Sequence, residues 1–515
     1  MTRTLTLEGV EAALEHLLAG RSACVWHRFI ADTLTPVSAA SRLMVPQRGD
    51  FLLESVEGGE IRGRYSLLGL DPDLLFRAKG REAQINTEWQ TDRAAFADCA
   101  GDPLQQLQAL HASCRFDPPA DLPPSLACLV GYLGFETASL VENYPRPASD
   151  PLSLPDILFV RPTVLLVFDQ LKDEAFCIAP IWKQCDNSGG FAADAIAAAS
   201  QRIETALAAL SQDNGLAANL ASASRHDGDH SDIALQPVLI EGQYVERVRR
   251  AKEYIASGDV FQVVLAQRFT APFEQSPFAL YRALRRINPS PFLYLLDLPG
   301  FAIVGSSPEI LVRVRDGEVT IRPIAGTRPR GPTPAADLAA EAELLADPKE
   351  RAEHLMLLDL GRNDVGRVAE AGSVAVTDSY KVERYSHVMH IVSNVCGRLG
   401  AQHTALDAVL AGFPAGTVSG APKIRACHII AELEKETRGP YAGAVGYFAP
   451  DGSVDSCIVL RTAVVKDGMI HVTAGAGIVA ESDPASEQRE CEAKAGALFA
   501  AAREAIALAA GERAG

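Results

Sequence analysis

Phe292-Leu-Tyr-Leu-Leu-Asp-Leu-Pro-Gly-Phe-Ala-Ile-Val-Gly-Ser-Ser-Pro-Glu-Ile-Leu-Val-Arg-Val-Arg-Asp-Gly-Glu-Val-Thr-Ile-Arg-Pro-Ile324 is the stretch on which the fold class turns. It reads as four strand-like runs in succession, at Phe292–Leu298, Ala302–Val304, Ile310–Val314 and Val319–Ile324. Helical patterns follow at Asp337–Leu360 and Ile424–Glu434, then strands at Gly443–Phe448, Ser456–Val465 and Met469–Ala474, then a last helix from Pro484 into Ala509. Strands and helices come in mixed runs and not in strict β-α-β alternation, so the class is α+β.

Working back towards the N-terminus, Phe278–Ile287 is helical, Phe261–Phe269 alternates like a strand, and Val245–Ser257 is a helix closed by Gly258. Earlier still, to about Trp182, short β-like runs such as Leu126–Gly134 and Ile157–Phe168 are joined by Pro-rich connections like Pro118–Pro124. Between the halves lie an Ala-rich helical stretch, Gly189–Ser211, and a polar segment, Gln212–Ile233, read as a linker. The expected division is therefore an N-terminal region 1–188, a helix and linker 189–240, and a second domain 241–515.

With 515 residues and 48% apolar content, the chain can bury large cores. Its formal net charge is −17 and it has no long run of Lys or Arg, which argues against nucleic acid and against anionic membranes. An anionic substrate would have to be met by local cations or a metal. The first 19 residues carry Glu8, Glu11 and Glu15 and lack the apolar core of a signal peptide, and no run of about 18 apolar residues marks a membrane span. The ten cysteines are scattered without a C-x-x-C pair, so free thiols in a reducing cytoplasm are expected.

Several residue groups point to chemistry. Asp347-Pro348 suits a helix start, and on that helix Glu353 shares a face with Met356, Leu357 and Leu360, with Glu350 one turn earlier. A carboxylate on an apolar stripe needs a partner or a metal, and spacing alone also allows a salt bridge to Arg351 or Lys349. Asp483-Pro484 repeats the device, placing Glu487, Glu490 and Lys494 on one face. The four carboxylates could share a hard cation, or simply form solvated faces. Between the two helices, Val472-Thr-Ala-Gly-Ala-Gly-Ile-Val479 carries Gly475 and Gly477 in a strand-like run, which suits either a ligand approaching the backbone or tight sheet packing. Arg461 alternates with Val459 and Ala463, and so is expected on an apolar strand face, paired with a carboxylate of protein or substrate. Pro414-Ala-Gly-Thr-Val-Ser-Gly-Ala-Pro-Lys423 is a small-residue loop whose amides and Thr417 could bind an anion or form a plain turn. His390, among apolar residues, fits a core histidine as well as a functional one. Glu309, after Pro308, is a general acid if desolvation raises its pKa, and otherwise a surface carboxylate.

In order along the chain, these segments resemble the chorismate-utilising enzymes. The matching motifs are Asp259-Val-Phe-Gln-Val-Val-Leu-Ala-Gln-Arg268, Gly305-Ser-Ser-Pro-Glu309, Pro323-Ile-Ala-Gly-Thr-Arg328, Glu353-His-Leu-Met-Leu-Leu-Asp-Leu-Gly-Arg-Asn-Asp364, Val388-Met-His390, Pro414 to Lys423 and Gly475-Ala-Gly477. Leu52-Leu-Glu-Ser55 and Gly63-Arg-Tyr-Ser66 match the regulatory part associated with that family. The resemblance implies two packed antiparallel sheets flanked by helices. It also implies a Mg²⁺ site at Glu353 and Glu490, supported by Glu350 and Glu487. Gly326, Thr327 and the Gly475-Ala476-Gly477 backbone would grip the ring carboxylate of chorismate, with Lys494 also at the substrate. Tyr441 and Arg461 would hold the enolpyruvyl carboxylate. Glu309 would protonate the departing C4 hydroxyl while ammonia attacks C2, and His390, beside Thr417, would assist the later proton removal and pyruvate loss.

Two positions discriminate within the family. Members that use water carry Lys where this chain has Gln262, and aminodeoxychorismate synthases often carry Lys in place of Ala325. Pro-Ile-Ala-Gly-Thr is the anthranilate form. The implied activity is that of an anthranilate synthase large subunit, the first step of tryptophan biosynthesis. Aminodeoxychorismate or aminodeoxyisochorismate synthesis is the near rival, and a catalytically silent tryptophan-binding regulatory subunit the rival of another class. Glu54, Ser55, Pro291, Phe292 and Leu293 resemble a pocket for L-tryptophan as feedback inhibitor, with Phe292-Leu293 replacing the family's usual Tyr-Met. No glutaminase motif is present, so ammonia is expected from a separate glutamine amidotransferase subunit (component II) in a hetero-oligomer.

Overall fold

A computed structural model describes residues 6–57, 61–124, 126–182, 189–212, 235–385 and 388–514. Two antiparallel sheets of twelve strands each carry the fold, as expected for the α+β class. In the first sheet the neighbours run Asp50–Glu57, Phe292–Leu298, Phe301–Ser307, Thr462–Lys466, Met469–Ile478 and Gln262–Pro272, continued on the far side of Asp50–Glu57 by Ile61–Leu70 and three further N-terminal strands. In the second they run Ile324–Pro329, Val388–Arg398, Glu318–Ile321, Ile310–Arg315, Val454–Ile458, Ala444–Phe448 and Leu129–Leu133, followed by four more N-terminal strands. Both sheets thus contain strands from 1–188 and from 241–515. One apolar cluster spans both, including Leu52, Tyr132, Ile303, Val312 and Phe448.

The short β-branched and aliphatic runs read from the sequence become strands because both faces are covered: Phe301–Ser307 and Val164–Asp169 are buried along their whole length. The helix Gly189–Ser211 is present. The polar segment Gln212–Ile233 lies, beyond its first residue, outside the described residues. Among the described residues no helix is long and apolar enough to cross a membrane, and every cysteine is free.

The pattern read as one helix over Asp337–Leu360 is two, Pro334–Ala346 and Pro348–Gly366. Pro348 has no N–H to donate and pushes Asp347 into extended backbone (φ −69°, ψ 115°). Asp347 then caps the second helix, accepting from the amides of Lys349 (2.9 Å) and Glu350 (3.3 Å). Likewise Ser456–Val465 is two strands, Val454–Ile458 and Thr462–Lys466. The hairpin Ala375–Arg384 with Val388–Arg398 was not anticipated; its first strand is largely exposed and carries no clean alternation.

The helix Pro277–Ile287 is pinned to the first sheet through Glu54. Its Oε2 accepts from Arg285 Nε (2.7 Å) and from the Tyr281 hydroxyl, and its Oε1 accepts from Arg285 Nη2 (3.1 Å). Glu54 and Tyr281 are buried, so the carboxylate is stable there only because both oxygens are taken. Glu54→Ala strands the guanidinium and the phenol together. It is expected to lower stability by about 3 kcal/mol or more, read as a fall in the urea unfolding midpoint; a loss under about 1 kcal/mol would contradict this account.

Candidate active site

A cavity of about 520 Å³ opens where the strands Gln262–Pro272 and Met469–Ile478 meet Ile324–Pro329 of the second sheet and the helices starting at Pro348 and Pro484. The candidate catalytic, substrate-binding and metal-binding residues named above line it, except Ala476 and Glu350. Gly475 and Gly477 share one strand face, and Ala476 points to the other, where it is buried.

Glu309 follows Pro308 at the joint between Phe301–Ser307 and Ile310–Arg315. Its backbone is locked, since its carbonyl accepts from the Ile458 amide (3.0 Å) and Ser307 Oγ donates to the Ile458 carbonyl (2.6 Å). Burial drives the Glu309 carboxyl up to about 8, opposed by a hydrogen bond from Thr417 and by the charge of Arg461. Thr417 Oγ1 donates to Glu309 Oε1 at 3.1 Å. A carboxyl in this state carries a proton at neutral pH and can give it up.

Arg461 is not on a strand face, contrary to the alternation read above. It occupies the junction of Val454–Ile458 and Thr462–Lys466 with φ 48°, which turns the chain there. Burial lowers its pKa, and Glu309 and Tyr385 draw it back up. No carboxylate among the described residues ion-pairs with it. A half-buried, cavity-lining guanidinium in that condition favours an anion.

His390 pairs in register with Thr327 across the strands Val388–Arg398 and Ile324–Pro329. Its Nδ1 lies 3.0 Å from the Gly326 carbonyl and 3.0 Å from Thr327 Oγ1. A carbonyl only accepts, so Nδ1 holds the proton and Nε2 keeps a lone pair. Burial lowers the His390 pKa, which favours this neutral form. Gly326 has φ 68°, a left-handed conformation that disfavours a side chain.

On the facing strand, a Cβ at Gly475 would stand 2.7 Å from the Tyr441 hydroxyl and 2.8 Å from the Leu265 carbonyl. Only glycine lets Tyr441, buried in the wall, sit there. A Cβ at Gly477 would be 2.5 Å from Gln262 Nε2. Gln262 Oε1 is buried with no hydrogen-bond partner among the described residues.

The helix face at Glu353 and the face at Glu490 come together across the cavity mouth. Burial raises the Glu353 pKa, and Glu350 and Glu490 raise it further. Burial also raises Glu487, with Glu490 adding to it and Ser482 opposing. Among the described residues no three acidic, His or Cys side chains converge as a finished metal cage. Glu350 is held by Arg328 Nη1 (3.0 Å), and Glu490 by Lys494 Nζ (2.6 Å), which also donates to the Gly475 carbonyl (3.0 Å). Two oxygen donors with excess negative charge suit a hard cation that keeps waters and substrate oxygens in its shell, as Mg²⁺ does. Lys349 also lines the cavity, a cation one turn before Glu353; its i, i+4 spacing is visible in the sequence, where it suggests only a salt bridge.

A second cavity, about 290 Å³, has Glu54, Ser55, Phe292 and Leu293 in its wall, where Ser55 pairs with Phe292 and Glu54 with Leu293. Pro291 is not in the wall. The Glu54 carboxylate is occupied by Tyr281 and Arg285, so any ligand here meets Ser55, Arg64 and the Phe292 and Leu293 side of the ladder.

Residues 50–500 match the family described as chorismate binding enzyme. The chain is 51% identical to anthranilate synthase component 1 of Cereibacter sphaeroides over 95% of its length and 96% of that protein's. It is 44% identical to the component 1 of Acinetobacter calcoaceticus over 93% and 94%. The crystal structure of anthranilate synthase component I from Streptococcus pneumoniae superposes with a TM-score of 0.72 at 34% identity, covering 91% of this chain and 98% of that one. The menaquinone-specific isochorismate synthase of Escherichia coli, 20% identical with a TM-score of 0.66 over 96% of this chain and 100% of that one, shares the fold.

Glu309 has a thermodynamic signature. With its folded pKa raised from 4.5 to about 8, the folded chain holds a proton that the unfolded chain releases, so wild-type stability falls as pH rises through that window. Glu309→Gln is neutral throughout and escapes the loss. The thermal midpoint of the variant relative to wild type is expected to climb from pH 5 to pH 9; a pH-independent difference would mean that Glu309 is not protonated when folded.

Proposed function

The chain belongs to the chorismate binding enzymes and its activity is that of an anthranilate synthase large subunit, and on that premise we propose how its residues divide the reaction. The observation that carries the reading is the buried Glu309 carboxyl set against Arg461, which has no ion-pair partner among the described residues, in one cavity with the Glu353 and Glu490 carboxylates.

Chorismate is a dianion with a hydroxyl leaving group, so the site must neutralise two carboxylates and supply one proton. Arg461 and Tyr441 would hold the enolpyruvyl carboxylate. Thr327, Gly326 and the backbone from Gly475 to Gly477 would receive the ring carboxylate, with Lys494 beside them. Glu353 and Glu490 would hold Mg²⁺, with Glu350 and Glu487 behind them; when bound, the ion supplies positive charge to the ring carboxylate. Glu309 would give its proton to the C4 oxygen, kept in place by Thr417. Ammonia would enter opposite the leaving water and bond to C2, near Gln262, whose amide does not generate hydroxide. His390 Nε2 would then take the C2 proton as the C3–O bond breaks, releasing pyruvate and leaving the aromatic ring of anthranilate.

The ammonia would come from a separate glutamine amidotransferase, component II, in a hetero-oligomer. The second cavity would take L-tryptophan as inhibitor, with Ser55, Phe292 and Leu293 at the ligand and Glu54 bracing the strand. We place the catalytic work in 241–515 and regulation mainly in 1–188, joined through 189–240. A cytoplasmic setting fits the free cysteines.

The purified chain with chorismate, Mg²⁺ and concentrated ammonium salt at alkaline pH is expected to yield fluorescent anthranilate plus pyruvate. A non-fluorescent amino adduct would place it instead with synthases that stop before elimination. Glu353→Gln is expected to cut Mg²⁺-dependent turnover roughly a thousandfold, the worth of ~4 kcal/mol of charge stabilisation; wild-type activity in that variant would remove Glu353 from the metal site.

A further inference from the structure

We infer that the buried Glu434–Arg438 pair is a positioning device for this reaction, holding in one register the three backbone segments that carry Thr417, Gln262 and Tyr441. The inference rests on the roles proposed above. Glu434 ends the helix Lys423–Glu434 and Arg438 follows a left-handed turn at Lys435 (φ 62°). Both side chains are almost fully buried, with 5% and 6% exposure. Arg438 Nε donates to Glu434 Oε2 at 2.8 Å and Nη2 to Oε1 at 2.6 Å.

The pair does not stop at itself. Arg438 Nη1 donates to the Val418 carbonyl (2.8 Å), one residue after Thr417, and Nη2 to the Val264 carbonyl (2.7 Å), two residues after Gln262. Glu434 Oε1 also accepts the Ala266 amide (2.8 Å). On that edge of Gln262–Pro272, strand partners reach only Gln262–Val263 at one end and Phe269–Thr270 at the other. Among the described residues no strand covers the edge between, so the ion pair serves Val264 and Ala266 as a missing strand would. The backbone of the pair is anchored in turn. Buried Glu136 accepts the Arg438 amide (2.7 Å) on one oxygen and the Gly439 amide (3.0 Å) on the other, and the Phe135 amide donates to the Gly439 carbonyl (2.8 Å). Tyr441 lies two residues on, its ring 5.6 Å from the guanidinium carbon.

A purely stabilising pair and a positioning pair differ once both charges are removed together. The double variant Glu434→Gln with Arg438→Met leaves no uncompensated buried charge and keeps an acceptor for Ala266, so it should still fold, with a thermal midpoint lowered only by the loss of donors to the Val418 and Val264 carbonyls. Its kcat for anthranilate formation is expected to fall about a hundredfold, as for catalytic groups misplaced by about 1 Å. The chorismate KM should change far less. The alkaline limb of its kcat profile, taken at constant free ammonia, should move to higher pH, because Glu309 loses the bond from Thr417 that favours its ionised form. A folded double variant with wild-type kcat and an unmoved limb overturns the inference. Should the double variant not fold, Glu136→Gln decides. A carboxamide can accept from only one of the two amides, so Tyr441 loosens and the chorismate KM is expected to rise about tenfold in a chain that still folds, its thermal midpoint lowered by the one unsatisfied amide; an unchanged KM in the folded variant overturns the inference. A wild-type chain that makes no anthranilate sinks the functional reading, and this inference with it.

Discussion

Everything in the catalytic cavity depends on one strand pairing. Asp50–Glu57 lies beside Phe292–Leu298, which lies beside Phe301–Ser307, and that strand runs through Pro308 into Glu309. Ser55 faces Phe292 and Phe292 faces Ser307, so the second cavity is two ladder steps from the residue that locks the Glu309 backbone. A slip of one residue would turn every side chain to the other face. The buried Glu54–Arg285–Tyr281 cluster makes such a slip costly, because it would pull a paired carboxylate away from its partners. A ligand in the second cavity would therefore meet a ladder with few alternatives, with Glu309 at the ladder's end.

The same cavity shows how an acidic chain receives an acidic substrate. The overall charge of −17 repels a dianion. The two arginines nearest the chemistry are treated in opposite ways. Arg438 has its carboxylate and two carbonyls, and is spent on holding the wall. Arg461 is half-buried without an ion-pair partner among the described residues, its charge disfavoured by desolvation in a way an anion would offset. The mouth is arranged in mirror image: burial first, and neighbouring carboxylates second, raise the Glu353 and Glu487 pKa values, and a cation there would offset both. Each end of the cavity is electrostatically incomplete in the sense that one end of a chorismate–cation pair would complete.

How much of this was legible in the sequence follows the range of the interactions. Local rules served well: two Asp-Pro caps set the helices bearing Glu353 and Glu490, helical spacing put those carboxylates on definite faces, and a period of two put Gly475 and Gly477 together. Arg461 shows where the rule fails, because its left-handed φ ends the alternation and no local residue announces it. The hairpin from Ala375 to Arg398 was missed because its outer strand is too exposed for a hydrophobic pattern. The Glu434–Arg438 pair does have i, i+4 spacing, yet its meaning lies in bonds to residues 20 and 174 positions away, which no window along the chain contains.

In the proposed reaction the acid and the nucleophile make opposite demands on pH, and burial of Glu309 would reconcile them. Ammonia attacks only as the free base, whose share grows in alkaline solution, whereas the C4 oxygen needs a protonated donor. A carboxyl of ordinary pKa would be protonated only about once in 3,000 at pH 8. At about 8, the Glu309 carboxyl is half protonated there. That shift comes first from desolvation, with Thr417 and Arg461 both pulling against it, so in the proposed reaction the wall that excludes water would itself supply the acid. Anything that let water reach Glu309 would lower its pKa and separate the two reactants in pH even if every contact with substrate survived. The tightness of this wall, kept by Ser307, Ile458 and the turn at Thr417, is therefore as much a part of the chemistry as the carboxyl.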